Sequence, residues 1–257
     1  MPDLARGSVG RRRVLAATAL ALALTALVVD PRAAHSAARR PTAARTAPTS
    51  TTATTTTTIV PGRGVALDPR WPKTLTLVTD SVTLGAADAL RAALPGWHVD
   101  VLGRPALMID QAAPEYLPPG RRVGSVVVVG LGYNSLWERN RAHYAAWSGA
   151  FDREANDLVT LLRRRGAHKI VWVTLRQPSP SVVTAAGRYQ YDHYAWFFPY
   201  VNQRLHALVH RQPEIALADW SAVSDRAGLT YDLIHLAPRG ARLMARVIAT
   251  SVTGAPS

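Results

Sequence analysis

Four short stretches of this chain hold residues able to do chemistry. Asp232-Leu233-Ile234-His235 sets a carboxylate three residues before an imidazole. On a loop, that spacing lets the carboxylate hold one ring nitrogen while the other takes a proton. Asp80-Ser81 follows an apolar run and leads into Val82-Thr83-Leu84-Gly85, so Ser81 stands where a helix begins. Its N–H then lies in the positive field of the helix N-terminus, which suits a nucleophile whose carbonyl adduct carries negative charge. Asn134, in Gly132-Tyr133-Asn134, offers an amide donor for that charge, and Gly103 offers a backbone N–H with no side chain to shield it. The implied chemistry is acyl transfer through serine. Each stretch also has a plain structural reading: an N-cap at 80–81, turn residues at 103 and 132–134, and a surface His beside a capping Asp at 232–235.

These residues meet only if the fold gathers distant segments. Thr74 to Thr79 reads as a short β-strand. Ala86 to Leu94 reads as a helix stopped by Pro95-Gly96. Further strands are expected over His98 to Leu102, Val123 to Val129, Lys169 to Thr174 and Ile215 to Asp219. Val126 to Val129 is the continuous apolar kind that suits a strand buried on both faces. Helices are expected over Phe151 to Arg165, with a short one before it near Ala142, and over Trp196 to Arg211 and Pro238 to Val252. Pro105 to Arg122 reads as an irregular or helical crossover. Alternating strands and helices predict an α/β fold, a three-layer α/β/α sandwich around a five-stranded parallel sheet of flavodoxin-like type. Such sheets bind ligands beyond the carboxyl ends of their strands, and three of the four reactive stretches directly follow a strand.

The chain has 257 residues, no cysteine, and a formal net charge of +13. Without cysteine there are no disulfides, thiolate metal sites or cysteine nucleophile. Residues 1–60 hold eight arginines against two aspartates, so much of the basic excess lies outside the folded part. No arginine-rich helix or aromatic RNA-binding motif speaks for nucleic acid as a partner. Arg11-Arg12-Arg13 precedes sixteen Ala, Leu, Val and Thr residues from Val14 to Val29, and small residues follow Pro31. Residues 1–37 therefore read as a signal peptide or an N-terminal membrane anchor, and the protein as extracytoplasmic, secreted or tethered. Residues 38–66 are Thr-, Ala- and Pro-rich and read as a disordered linker. The globular domain is expected over 67–257.

Taken together and in this order, the motifs resemble the SGNH (GDSL-like) hydrolase superfamily. Thr79-Asp80-Ser81 stands for its Gly-Asp-Ser block, Gly103 for its second-block glycine, Gly132-Tyr133-Asn134 for Gly-x-Asn, and Asp232 to His235 for Asp-x-x-His. The nearest likeness is to the extracellular SGNH domains of cell-wall O-acetyltransferases. These share the Asp80 to Gly85 stretch, an arginine placed like Arg176, an asparagine like Asn202, and an Asp-Trp pair like Asp219-Trp220. The resemblance implies a Ser81, Asp232, His235 triad and an oxyanion hole from Ser81, Gly103 and Asn134, with no metal and no cofactor. It also implies a small ester or an acylated glycan as substrate, with Arg176 and Tyr133 beside it. Two departures stand out: Thr79 replaces a glycine, and Tyr133-Asn134-Ser135 replaces the commoner acyl-pocket residues.

Gln177 to Tyr200 is rich in aromatics, among them Tyr189 and Trp196, which either stack on substrate or pack over the sheet edge. Other readings are weaker. Asp80 after the first strand suits a haloacid-dehalogenase-type phosphatase, but the second Asp that chemistry needs is replaced by Val82. His206 and His210 share a helix face without a third ligand nearby. A non-catalytic SGNH-like domain that binds envelope polysaccharide or scaffolds a partner is the main alternative to an enzyme.

Overall fold

The computed structural model describes residues 62–136 and 141–254. The expected signal or anchor segment, and the linker up to residue 61, lie outside the described residues. Five strands form one parallel sheet: β1 (Thr74–Thr79), β2 (His98–Gly103), β3 (Val126–Gly130), β4 (Lys169–Val173) and β5 (Ile215–Ala218). Their order is β2-β1-β3-β4-β5. The three-layer α/β architecture is the one expected.

The sheet's centre follows from composition. Every residue of β3 and β4 is buried, as a parallel strand covered on both faces requires. The first turn of helix, α1 (Ser81–Leu84), is followed by α2 (Ala87–Ala93), α3 (Ile109–Tyr116), α4 (Tyr144–Arg164), α5 (Arg188–His193), α6 (Phe198–Arg211), α7 (Ser221–Ser224) and α8 (Pro238–Thr253). α2 packs on α8, while α3 packs on α4 and α4 on α6. Right-handed crossovers require this division, because the β1-to-β2 step runs against the direction of the later ones. No described helix is long and apolar enough to cross a membrane.

Several bounds differ from the sequence expectation for visible reasons. α4 is a helix of 21 residues that begins at Tyr144 rather than Phe151, and the short helix expected near Ala142 is a 3₁₀ turn over Arg141–His143 just before it. Trp147, Phe151, Ala155, Leu158 and Leu162 form one buried stripe along it, and that packing overrides the weak helix preference of Ser148 and Gly149. β3 starts at Val126, and just before it the N–H groups of Gly124 and Ser125 donate to the side-chain oxygens Thr76 Oγ1 and Thr74 Oγ1, at 2.9 and 3.0 Å, rather than to β1 carbonyls. The crossover after β2 contains α3. Residues 62–65, in the stretch expected to be linker, run beside β5: Leu217 N donates to Gly62 O at 2.7 Å and Val65 N to Glu214 O at 3.2 Å.

Candidate active site

The carboxyl ends of β1 and β3 build the first half of the site. Asp80 caps α1, its side chain accepting from the Val82 N–H at 3.0 Å. The cap fixes Ser81 as the first residue of that turn. α1 can lie close to β3 because residue 130 is glycine: a Cβ there would stand 2.5 Å from Thr83 Cβ. Asn134 follows Gly132, whose φ of +142° suits glycine and whose Cβ would meet Leu175 at 2.9 Å.

The second half is the loop between α7 and α8. Leu229 and Ala237 close its ends, Ala237 N donating to Leu229 O at 2.9 Å. Leu233 is buried with φ +78°, the left-handed region that a branched side chain rarely adopts. That turn folds Asp232 back on the chain. Asp232 Oδ1 accepts from the N–H groups of Ile234 and His235 at 3.1 and 2.7 Å, and Oδ2 meets His235 Nδ1 at 2.7 Å. The other ring nitrogen, Nε2, lies 3.1 Å from Ser81 Oγ. Ser81, His235 and Asp232 therefore form one continuous hydrogen-bonded relay across 154 residues of chain.

The two aspartates sit in opposite electrostatic settings. Burial dominates at Asp80, which is wholly enclosed, and pushes its carboxyl up to about 7 despite N–H donors from Val82, Tyr133 and Thr83. At Asp232, burial also pushes upward. There the His235 side chain, two backbone N–H groups and the imidazole's charge together outweigh it and hold the carboxyl below its ordinary range.

A cavity of about 300 Å³ opens over the serine, lined by Ser81, Val82, Tyr133, Asn134, Tyr189, Gln190, Tyr194, Ile234 and His235. Asn134 Nδ2 has two long contacts, 3.4 Å to Asp80 Oδ2 and 3.4 Å to Leu107 O, so little holds it against a stronger acceptor. Tyr189 lines the mouth and is 57% exposed, with its ring stacked on His193. Tyr133 is buried in the wall. Its hydroxyl accepts from the Arg176 N–H at 2.7 Å, and burial raises its pKa.

Four expected site residues do not line this cavity: Asp232, which stands behind the imidazole, and Arg176, Trp196 and Gly103. Arg176, expected beside substrate, is only 2% exposed. Its guanidinium donates to Ser224 O, Arg226 O, Leu233 O and Thr230 Oγ1 at 2.5–3.2 Å. It is the clamp that ties the base loop to β4, which corrects the sequence reading. Trp196 turns away, its indole N–H donating to His193 O at 2.9 Å and its ring packing on Phe197. Gly103 pairs with Thr79 at the end of β2, and its missing side chain is explained by packing: a Cβ would stand 2.0 Å from Thr79 O.

The resemblance-based residues Asn202 and Asp219 also serve the scaffold. Asn202 bonds both the N–H and the C=O of Leu175, at 2.7 and 2.8 Å, and so sets the strand end that carries Arg176. Asp219 accepts from Thr174 Oγ1 at 3.1 Å and Ser221 Oγ at 2.6 Å. Sequence reading missed Tyr231. It is 62% exposed and stacks on the His235 ring, with centroids 5.7 Å apart and planes 13° apart. Its only signal in the sequence was adjacency to Asp232. Among the described residues no cluster of His, Asp and Glu could hold a metal.

Comparison of the coordinates with solved structures finds the same fold repeatedly. A GDSL-like lipase from Bacteroides thetaiotaomicron superposes with a TM-score of 0.53 and 11% identity, over 71% of this chain and 88% of the other. An acetyl xylan esterase superposes with a TM-score of 0.52 and 15% identity, over 70% and 99%. The C-terminal catalytic domain of the Streptococcus pneumoniae peptidoglycan O-acetyltransferase A gives 0.48 and 20%, over 72% and 93%. No protein-family model matches the chain, and no curated protein is similar to it in sequence. The fold is thus that of the SGNH (GDSL-like) hydrolases.

Proposed function

We propose that this chain, which has the SGNH hydrolase fold, is a serine esterase or acyl transferase acting through Ser81, His235 and Asp232. The observation that carries the reading is the relay itself: Nε2 lies 3.1 Å from Ser81 Oγ while Asp232 holds Nδ1 at 2.7 Å. Both distances lie within proton-transfer reach. His235 takes the Ser81 proton as Oγ bonds to the ester carbonyl carbon. The carbonyl π electrons move to oxygen, where the Ser81 N–H and the Asn134 amide donate to the oxyanion. The Gly103 N–H, level with Thr79 on the neighbouring strand, is the third proposed donor. The ester C–O bond then breaks and the leaving alkoxide takes the proton from His235, leaving an acyl-serine. Water, or a sugar hydroxyl in transfer, gives its proton to His235 as its oxygen bonds to the acyl carbon; the acyl C–Oγ bond then breaks and Ser81 Oγ takes the proton back from His235.

The substrate we propose is an O-acylated glycan or lipid of the cell envelope. The only large apolar side chains recorded as strongly exposed among the described residues are Tyr189 and Tyr231. One lines the cavity and the other stacks on His235. Exposed tyrosine faces flanking a small acyl cavity suit a flat sugar ring, with the hydroxyls left free for a polar rim. An acetyl xylan esterase among the fold neighbours is consistent with that class. The extracytoplasmic location follows from the basic-then-apolar leader of residues 11–29. Full-length protein should hydrolyse nitrophenyl acetate, and Ser81→Ala should lose that turnover about 10⁴-fold or more. Undiminished hydrolysis in Ser81→Ala ends the proposal. Adding glycan acceptors and following acyl-sugar formation separates transfer from hydrolysis.

A further inference from the structure

A second cavity, of about 630 Å³, lies away from this chemistry. It is lined by Lys169, Arg63, Thr250, Ser251 and the backbone of residues 62–66, among others. Lys169 is the first residue of β4, whereas Ser81 follows the last residue of β1. In a parallel sheet those positions are at opposite ends, so the cavity is not an extension of the serine site.

Lys169 is the anomaly there. It is only 2% exposed, and among the described residues no ion pair or side-chain hydrogen bond involves its amine, which is not sealed in the core but opens on the cavity. Burial pushes the amine below the ordinary lysine range, and no neighbouring charge pushes back. An ammonium drawn largely out of water is retained at a cost that a facing negative charge would offset. Among the described residues the cavity lining offers no such group: it includes Arg63, a second cation, and no Asp or Glu. The nearby ion pair of Arg163 with Glu214 is already closed, at 2.5 Å. What the walls lack is a negative charge, and the space to admit one is present.

We propose that this cavity is an anion site that takes an oxyanion group, carboxylate or phosphate, against Lys169 and Arg63. The group arrives either on a free small molecule or as a substituent of an envelope polymer, and binding leaves the serine chemistry untouched. The inference does not depend on the esterase reading.

The test is thermal unfolding of the full-length chain with inorganic phosphate titrated against chloride at constant ionic strength. The wild-type midpoint should rise with phosphate and reach about 5–10 °C at roughly 100-fold above the dissociation constant. Lys169→Met should abolish that rise while leaving nitrophenyl acetate turnover unchanged. Acetate and a polymer bearing carboxylates, run in parallel, assign the group and its source. A midpoint that ignores phosphate, or that rises equally in Lys169→Met through general salt exclusion, overturns the proposal. Should Lys169→Met lose turnover as well, Arg63→Ala decides, because that side chain is exposed. A weakened phosphate response in Arg63→Ala supports the site, and an unaltered one overturns it.

Discussion

The loop that presents Ser81 and the loop that presents His235 both begin with an aspartate, but they are built differently. Asp80 is sealed between β1, α1 and β3, meets only neutral donors, and is pushed up to about 7. Asp232 is partly open, faces an imidazole, and is held below its ordinary range. The nucleophile's turn is fixed by local capping and by close backbone packing at Gly130. The base loop is fixed from outside, by Arg176 reaching across from the end of β4. One residue type thus serves as a neutral-leaning structural cap in one loop and as an ionised partner in the other. The environment, rather than the side chain, decides which.

Asp232→Asn presses hardest on this contrast. An amide still caps the Ile234 and His235 N–H groups, but it no longer fixes the ring tautomer or stabilises the imidazolium. We expect kcat/KM on a nitrophenyl ester to fall by about 10⁴-fold with the fold intact. A loss under tenfold would place Asp232 with Asp80 as a cap. Next in size is Arg176→Met, which strips donors from three carbonyls and a hydroxyl. Stability should drop by about 3 kcal/mol, read as a fall of roughly 6–12 °C in the unfolding midpoint. A raised KM at unchanged midpoint would instead return Arg176 to the substrate.

The pH dependence sharpens the comparison further. Asp80 holds its proton in the folded state from an ordinary value of 3.8 up to about 7. Its relative stabilisation is whole below about pH 4 and is lost as pH rises through about 7. Asp232 has the opposite sign: its contribution is whole above pH 4 and is lost as pH falls through its depressed value. Chemical denaturation between pH 4 and 7 should therefore show a downward slope that Asp80→Asn flattens. An unchanged slope in that variant would mean the carboxyl is ionised in the folded protein. The smallest effect is expected at Tyr231. Tyr231→Ala should raise KM for an acylated sugar several-fold and leave nitrophenyl acetate nearly unaffected. Equal losses on both would make Tyr231 a support for His235 instead of a sugar platform.

The parts of this molecule legible in its sequence are those whose signals are local. Val126 to Val129 announces a buried strand, Pro238 announces the start of α8, and the reactive residues stand where strands run out. Arg176 was misjudged because its partners lie 48–57 residues away, and nothing near it in the chain marks it as buried. Trp196 stays open in the sequence between substrate and sheet edge because an aromatic-rich stretch does not say which way each ring faces. Here a 3₁₀ turn at Ala195–Phe197 points it toward Phe197 and Tyr200. The backward turn at Leu233 was invisible, since that conformation is imposed by the loop's surroundings and not by leucine.

The most direct measurement is covalent. Full-length protein treated with a serine-directed fluorophosphonate should gain one adduct per chain. Peptide mapping should place it on Ser81, with ester hydrolysis lost in step, and His235→Ala should label far more slowly. An adduct on another residue, or a fully occupied Ser81 with hydrolysis continuing, would contradict the account.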